Sequence, residues 1–387
     1  MLPIYYTSDE PGAPTLNNAN GSLISVLDAV LINGFGLKSV TSITVAGGIA
    51  TCTCAGHQIT GGIGRKVQIA GASPTALNGN HDVTVVDANT FTYPTTAANG
   101  TATGTISARR APLGWQKVFS STNKAIYGRT DPQATAMLLR IDDTGTGVAS
   151  TTYARAVMCE SATDVDTMTG VSPTTAQISG GWYVSKGPNS TAAKKWLIVG
   201  DERTVYVFTE GATYPWSNDN GLASFAFGDI NSYRSGGDAY GCLISGSNTT
   251  SDTCYLLTHS YGTLSAVIAR ANNQITPSPW VETVGRSRGT SELLGGSSNY
   301  PVYPSAVDGG AVIERTVHVR EIDTASAVRG EYRGLSYPFA NMSSVYQSFH
   351  DTILTNAIGS SDSYLWVAHT RQGSDGLVLF NLTSNWS

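Results

Sequence analysis

Two carboxylate pairs are the first residues in this chain able to do chemistry. Asp142 and Asp143 are adjacent, and Asp164 and Asp166 are one residue apart. Paired carboxylates run glycoside hydrolysis and hold calcium. Both pairs also fall in Gly- or Thr-rich turns, where aspartate is favoured because its side chain bonds nearby backbone N–H groups. That simpler role is the expectation. The histidines are His57, His81, His259, His318, His350 and His369, and none forms H-E-x-x-H or H-x-H. His57 follows Gly56 and reads as part of a turn. No serine sits in G-x-S-x-G, so a nucleophile elbow is unsupported. Gly61-Gly62-Ile63-Gly64-Arg65-Lys66 has the glycines of a phosphate loop but neither its spacing nor its following helix, and reads as a turn. Trp182, Trp216 and Trp280 lie near polar segments. They either anchor loops onto a core or fill a subunit contact, or they offer aromatic faces to a sugar. These patterns predict no catalytic residue, no cofactor-binding residue and no metal ligand.

Five cysteines are present. Cys52 and Cys54 alternate, so on a strand they share a face and do not readily bond each other. Cys159 ends a strand-like run. Cys242 and Cys254 flank a polar stretch from Leu243 to Asp252, and two strands around that loop can bring their sulfurs together. Whether they form a disulfide stays open, since cytoplasmic thiols are normally reduced. No spacing supplies the four clustered ligands of a zinc site.

The elements that must carry these residues are mostly short strands. The chain has 387 residues, is 41% hydrophobic and holds 42 glycines, enough for two or three domains with a real core. Charged residues make up 13%, against about 25% in typical domains. The formal net charge is −5 with no basic stripe, which argues against nucleic-acid binding. The start, Met-Leu-Pro-Ile-Tyr-Tyr, lacks the basic and apolar regions of a secretory signal. No apolar run approaches the roughly 20 residues that span a membrane. The expectation is a protein assembled in a cytoplasm, with no membrane partner.

Leu23, Val26, Leu27, Val30 and Leu31 recur at helical spacing, with Asn20 or Ser22 placed to cap the start and Gly34 the end. This predicts one short helix docked on a sheet. Elsewhere, apolar runs such as Trp196–Val199, Val205–Phe208 and Tyr364–Ala368 are separated by turn signals including Asp142-Asp143-Thr144-Gly145 and Gly200-Asp201-Glu202. Trp196–Phe208 reads as a tight hairpin, and Tyr364–Phe380 as one with a longer loop. No regular period marks a propeller. The fold class expected is mainly β: a sandwich- or barrel-like scaffold with one short N-terminal helix. Between Ser42 and Ile106 the alternation is regular, and Gly71-Ala72-Ser73-Pro74 and Asp87-Ala88-Asn89 turns divide it. It predicts a small β-barrel or Ig-like module. The expected division is 1–40 as N-terminal arm and helix, 41–108 as the module, and 109–387 as the main scaffold.

The order of motifs in that module is Gly56-His57, then Lys66 to Ala72, Leu77-Asn78-Gly79, Val83-Thr84-Val85, and Asp87 to Tyr93. It resembles a module of tailed-bacteriophage virion proteins, departing from it at residues 58–64, where the usual form has an aromatic after Gly-His. The resemblance extends to Leu2–Asn18, Gly21–Gly36, Gly114–Tyr127, Ser161–Thr167, Trp196–Asp201, Phe227–Asp229 and Asp238–Cys242. In that family the segments before and after the module usually run on directly, so the module is read as inserted into an exposed loop. The resemblance implies a non-enzymatic structural protein of the virion, either surface decoration or tail-associated, with other capsid or tail proteins and its own copies as partners. A receptor- or carbohydrate-binding tail spike or fibre component is the alternative, with a host surface receptor as partner. Leu2–Asn20 and residues 285–311 are expected to be arms that reach neighbouring subunits.

Overall fold

The computed structural model describes residues 1–147, 149–187, 190–210, 222–248, 266–275, 280–284, 304–307, 309–321, 327–338, 350–355, 357, 359–371 and 374–386. The described residues are mainly β, with a sandwich-like scaffold and one short α-helix. At its centre is a nine-stranded sheet. Its order is Ile4–Thr7, Trp196–Gly200, Thr204–Glu210, Leu222–Ser232, Cys242–Ser245, Ala266–Ile268, Trp280–Val284, His318–Glu321 and Val328–Tyr332.

Its first strands are covered on both faces. Ile4, Trp196, Ile198, Val205, Val207 and Phe227 enter one core. Their strand neighbours Tyr5, Leu197, Val199, Tyr206, Phe208 and Ala226 enter another. Side chains alternate along a strand, so burial of both faces requires an unbroken apolar run. That is why Trp-Leu-Ile-Val and Val-Tyr-Val-Phe contain no polar residue. The first core is closed by the helix and by a five-stranded sheet, Gln116–Ser121, Lys124–Gly128, Leu138–Asp142, Tyr153–Cys159 and Trp182–Ser185. The second is closed by the C-terminal sheet, which includes Leu335–Pro338, Tyr364–Arg371 and Ser374–Asn381.

The central sheet also curls onto itself. Strand Leu222–Ser232 pairs with Thr204–Glu210 as far as Gly228, and then, from Ile230, with Val328–Tyr332. Its other edge pairs with Cys242–Ser245, so the last six strands of the sheet order close into a ring. Gly228 makes the change of partner possible. Its φ is +149°, and a Cβ there would lie 2.4 Å from Thr204 Cα.

The helix, α1, spans Ser22–Asp28 and runs on as a wider turn through Asn33 before Gly34. Leu23, Val26, Leu27, Val30 and Leu31 are all buried. The expected caps Asn20 and Ser22 do not close its start: Gly21 holds the cap position with no side-chain bond. Asp143 Oδ2 accepts from Leu23 N at 2.9 Å instead, from far along the chain. The hairpin Tyr364–Phe380 is tighter than expected, since its pairing continues to Arg371↔Ser374. Leu2–Asn20 is not an arm reaching outward. Ile4–Thr7 forms an edge strand on Trp196–Gly200, Leu16 is fully buried, and Asn18 N bonds Ser190 O at 3.2 Å. Of the second expected arm, residues 285–303 and 308 lie outside the described residues.

Residues 35–110 make two sheets of their own, with four and five strands. Between them lies a separate core that includes Ile43, Cys52, Ile69, Leu77, Phe91 and Tyr93. The strand set starts at Phe35 rather than at residue 41, because Phe35–Ser39 pairs with Ser107–Arg110 in the module's first sheet. Entry and exit are therefore neighbours: Phe35 faces Arg110, and a Cβ on Gly34 (φ +67°) would meet Arg110 O at 2.2 Å. Replacing residues 36–109 with two glycines should leave a scaffold that still melts cooperatively, because Arg110 keeps its bonds to Glu10 and Tyr5. The isolated segment 35–110 should fold as well. Circular dichroism melts of both fragments test this, and non-cooperative melting of the two would refute it.

Candidate functional site

The structure divides both sequence-adjacent carboxylate pairs. On strand Leu138–Asp142, Leu139 and Ile141 point into the core, so Arg140 and Asp142 share the outer face. Asp143, the next residue, turns inward and is fully buried. Its Oδ1 lies 2.5 Å from the equally buried Lys186 Nζ, which also donates to Ala19 O at 3.0 Å. Burial pushes the Asp143 carboxyl above its ordinary value despite the ammonium beside it. Asp143 thus ties together α1, the outer sheet and the segment after strand Trp182–Ser185.

Asp164 is exposed and bonds the backbone N–H groups of Asp166 (2.8 Å) and Thr167 (2.9 Å), as turn chemistry suggests. Asp166 instead joins Asp142. Arg140 Nη2 lies 2.8 Å from Asp166 Oδ1 and 3.1 Å from Asp142 Oδ2, bridging the two carboxylates. Its Nε donates to Val165 O at 3.2 Å. Lys124 Nζ contacts both Asp166 oxygens at 2.8 and 2.9 Å. Asp142 Oδ1 accepts from Thr144 Oγ1 at 2.7 Å and Thr144 N at 3.1 Å. The hydrogen bond from Lys124, helped by Arg140, holds the Asp166 carboxyl below the usual range.

Arg140, Asp142 and Asp166 form one wall of a groove of about 490 Å³ on the outer sheet. The small hairpin Ser161–Thr169 and the segment 171–181 rise over the sheet to make the others, with Val157, Met168 and Ile178 among the lining residues. A glycoside hydrolase needs one carboxyl raised so that it stays protonated, and Asp166 is shifted the opposite way. Sequence reasoning missed Arg140 and Lys124 as site residues because each is a lone cation. The period-two spacing of Arg140 and Asp142 was the available signal.

The other flagged residues serve the fold. His57 Nδ1 accepts from Ile59 N at 2.9 Å, so its Nε2 carries the proton and donates to Asp87 O at 2.9 Å. His81 stacks on Tyr93 with ring centroids 4.0 Å apart. His318 Nδ1 lies 3.1 Å from Tyr233 Oη, whose own proton goes to Glu331. Trp182 is buried in the first core. Trp216 and His259 lie outside the described residues, as do the side chains of Trp280, His350 and His369. Cys52, Cys54, Cys159 and Cys242 are buried free thiols; Cys254 lies outside the described residues. Burial pushes the Cys52 and Cys159 thiols up to about 12 and that of Cys242 up to about 11, so none of these three is a nucleophile at neutral pH. Among the described residues, no group of His, Cys, Asp and Glu side chains is arranged to hold a metal.

Further buried ion pairs link distant segments. Arg129 meets Asp229 at 3.2 Å, Arg333 meets Asp201 at 2.7 Å, and Arg110 meets Glu10 at 2.7 Å. Arg329 holds both Asp238 (2.8 Å) and Glu321 (2.7 Å). Burial opposes ionisation of Asp238, but its bonds from Arg329 outweigh burial and hold the carboxyl below its usual value.

No protein-family model matches the chain, and no curated protein matches it either.

Two outcomes follow from these pairs. Lys186→Met leaves Asp143 buried without a counter-charge and should cost about 3–5 kcal/mol in urea unfolding. Asp238 has a depressed folded-state value, so its contribution is complete above the unfolded value of about 3.9 and is lost as pH falls through the lower folded one. Asp238→Asn should therefore destabilise at neutral pH, and its difference from the parent should shrink below about pH 4. A difference constant across that range would contradict the assignment.

Proposed function

We propose that this protein is a non-enzymatic structural component of a tailed-phage virion. Its place is on the particle surface or in association with the tail, where it acts through contacts with its own copies and with other virion proteins. The reading starts from the ordered sequence resemblance, which runs through most of the chain. The observation that carries it is the distribution of charge. The few charged residues include many that are buried in ion pairs, among them Asp143, Lys186, Asp201, Asp229, Arg329 and Arg333. Their use in the interior leaves a surface rich in Gly and in the short side chains of Ser, Thr and Asn. Such surfaces have little charge to desolvate and little side-chain entropy to lose when copies pack together.

The module adds a second support. It is a separately cored unit joined at neighbouring termini, and it exposes Leu37 (64%) and Val86 (59%). Val86 lies at an irregularity in Thr84–Asp87, the edge strand of the five-stranded module sheet. Exposed apolar groups on an unpaired edge suit a protein contact. Mass spectrometry of purified particles, followed by locating the chain in a cryo-EM map, tests the proposal. The expected result is this chain at symmetry-related sites on the head or tail. Its absence from particles of a phage that expresses it would overturn the reading.

A further inference from the structure

We propose that the groove over the outer sheet is a binding site for a neutral saccharide, one that takes a short run of unmodified sugar rings by their hydroxyls. The inference does not depend on where the chain sits in a particle. Its volume of about 490 Å³ lies within the roughly 300–1,000 Å³ of small-molecule sites.

The polar wall selects the ligand class. Arg140, Asp142 and Asp166 line the groove, and Lys124 pairs with Asp166 from outside the lining, so the cluster carries two positive and two negative charges, already paired at 2.8–3.1 Å. With Lys124 included, the cluster has no net charge for a phosphate, a sulfate or a cationic peptide to neutralise. Both carboxylates are occupied by cations or by Thr144, which leaves no vacant set of oxygens for a divalent metal. Asp142 Oδ2 and Asp166 Oδ2 each meet a single cation and keep a second lone pair, so a carboxylate–guanidinium–carboxylate row stands fixed along the wall. A sugar hydroxyl both donates and accepts, so adjacent hydroxyls match such a row without introducing charge. The geometry is also held in advance. Arg140 is fixed by Asp142, Asp166 and Val165, and Asp166 by Lys124 from the neighbouring strand, so little ordering remains at binding.

The remaining lining fits the other side of a sugar ring. Val157, Met168, Val171, Pro173 and Ile178 are aliphatic, and they suit the C–H faces of the ring. Among the described residues no aromatic side chain lines the groove, so it offers no stacking platform of the kind a nucleobase uses. Thr174 and Thr175 add hydroxyls at the rim.

The experiment uses the full chain on an array of neutral oligosaccharides and their sialylated, sulfated and uronic-acid counterparts, with saturation-transfer NMR on the hits. Two variants report on the site. Asp166→Asn keeps the shape and removes a charge from a half-exposed position, while Met168→Trp fills the groove from the outer hairpin. The expected result is binding to at least one neutral glycan, weakened at least about tenfold by either variant, with thermal midpoints close to the parent's. Three results would overturn the proposal. These are no neutral glycan bound at about 1 mM, preference for the charged counterparts, and neutral binding that survives both variants.

Discussion

Burial of the first strands of the central sheet on both faces is the constraint on which the rest of this structure depends. A strand covered on one side can alternate polar and apolar residues; one covered on both cannot. Strands Trp196–Gly200 and Thr204–Glu210 are buried along their whole length. They could not exist at a solvated surface without exposing a large apolar area. The outer sheet and helix must therefore close one side, and the C-terminal sheet the other. The N-terminal segment is drawn into the same requirement. Tyr5 packs in one core while Ile4 and Tyr6 pack in the other, so what the sequence suggested as a free arm becomes an edge strand.

Such layering leaves few places for charge. Where ionised groups do enter the interior they arrive with partners, because an isolated buried charge is far more costly than a paired one. The partners are distant in sequence, as with Asp201 and Arg333 or Glu10 and Arg110. Replacing such pairs with apolar residues need not lower stability; what these pairs do in the fold is join segments far apart in the chain. Asp143 does this most fully, receiving Lys186 on one oxygen and the first turn of α1 on the other. On the solvent side of the same strand, Arg140 uses the same chemistry differently. It holds two carboxylates in a fixed row that faces a groove.

The module obeys a different rule. Its two sheets enclose a core of their own, so it does not need the scaffold to bury its apolar residues. It is nonetheless fastened to it. Tyr5 N donates to Gly64 O at 3.0 Å, the Arg65 guanidinium lies over the Tyr5 ring at 4.7 Å, and Arg110 lies over Tyr6 at 4.9 Å. The attachment falls on the same edge strand that the central sheet has captured.

The sequence by itself determined the local features, because they depend on neighbours a few residues apart. The mainly β class, the helix face from Leu23 to Leu31, the hairpin at Trp196–Phe208 and the alternating strands of the module are all written in residue spacing. The unbroken apolar runs were visible too, but whether such a run lies between two layers is a fact about packing. Only the tertiary structure decided the partners. It separated Asp142 from Asp143 because adjacent strand positions face opposite sides of a sheet. It joined Asp142 to Asp166 through Arg140, replaced the expected caps of α1 with Asp143, and turned Leu2–Asn20 inward. Each of these depends on groups far apart in the chain meeting at hydrogen-bond distance, and no local pattern encodes such a meeting.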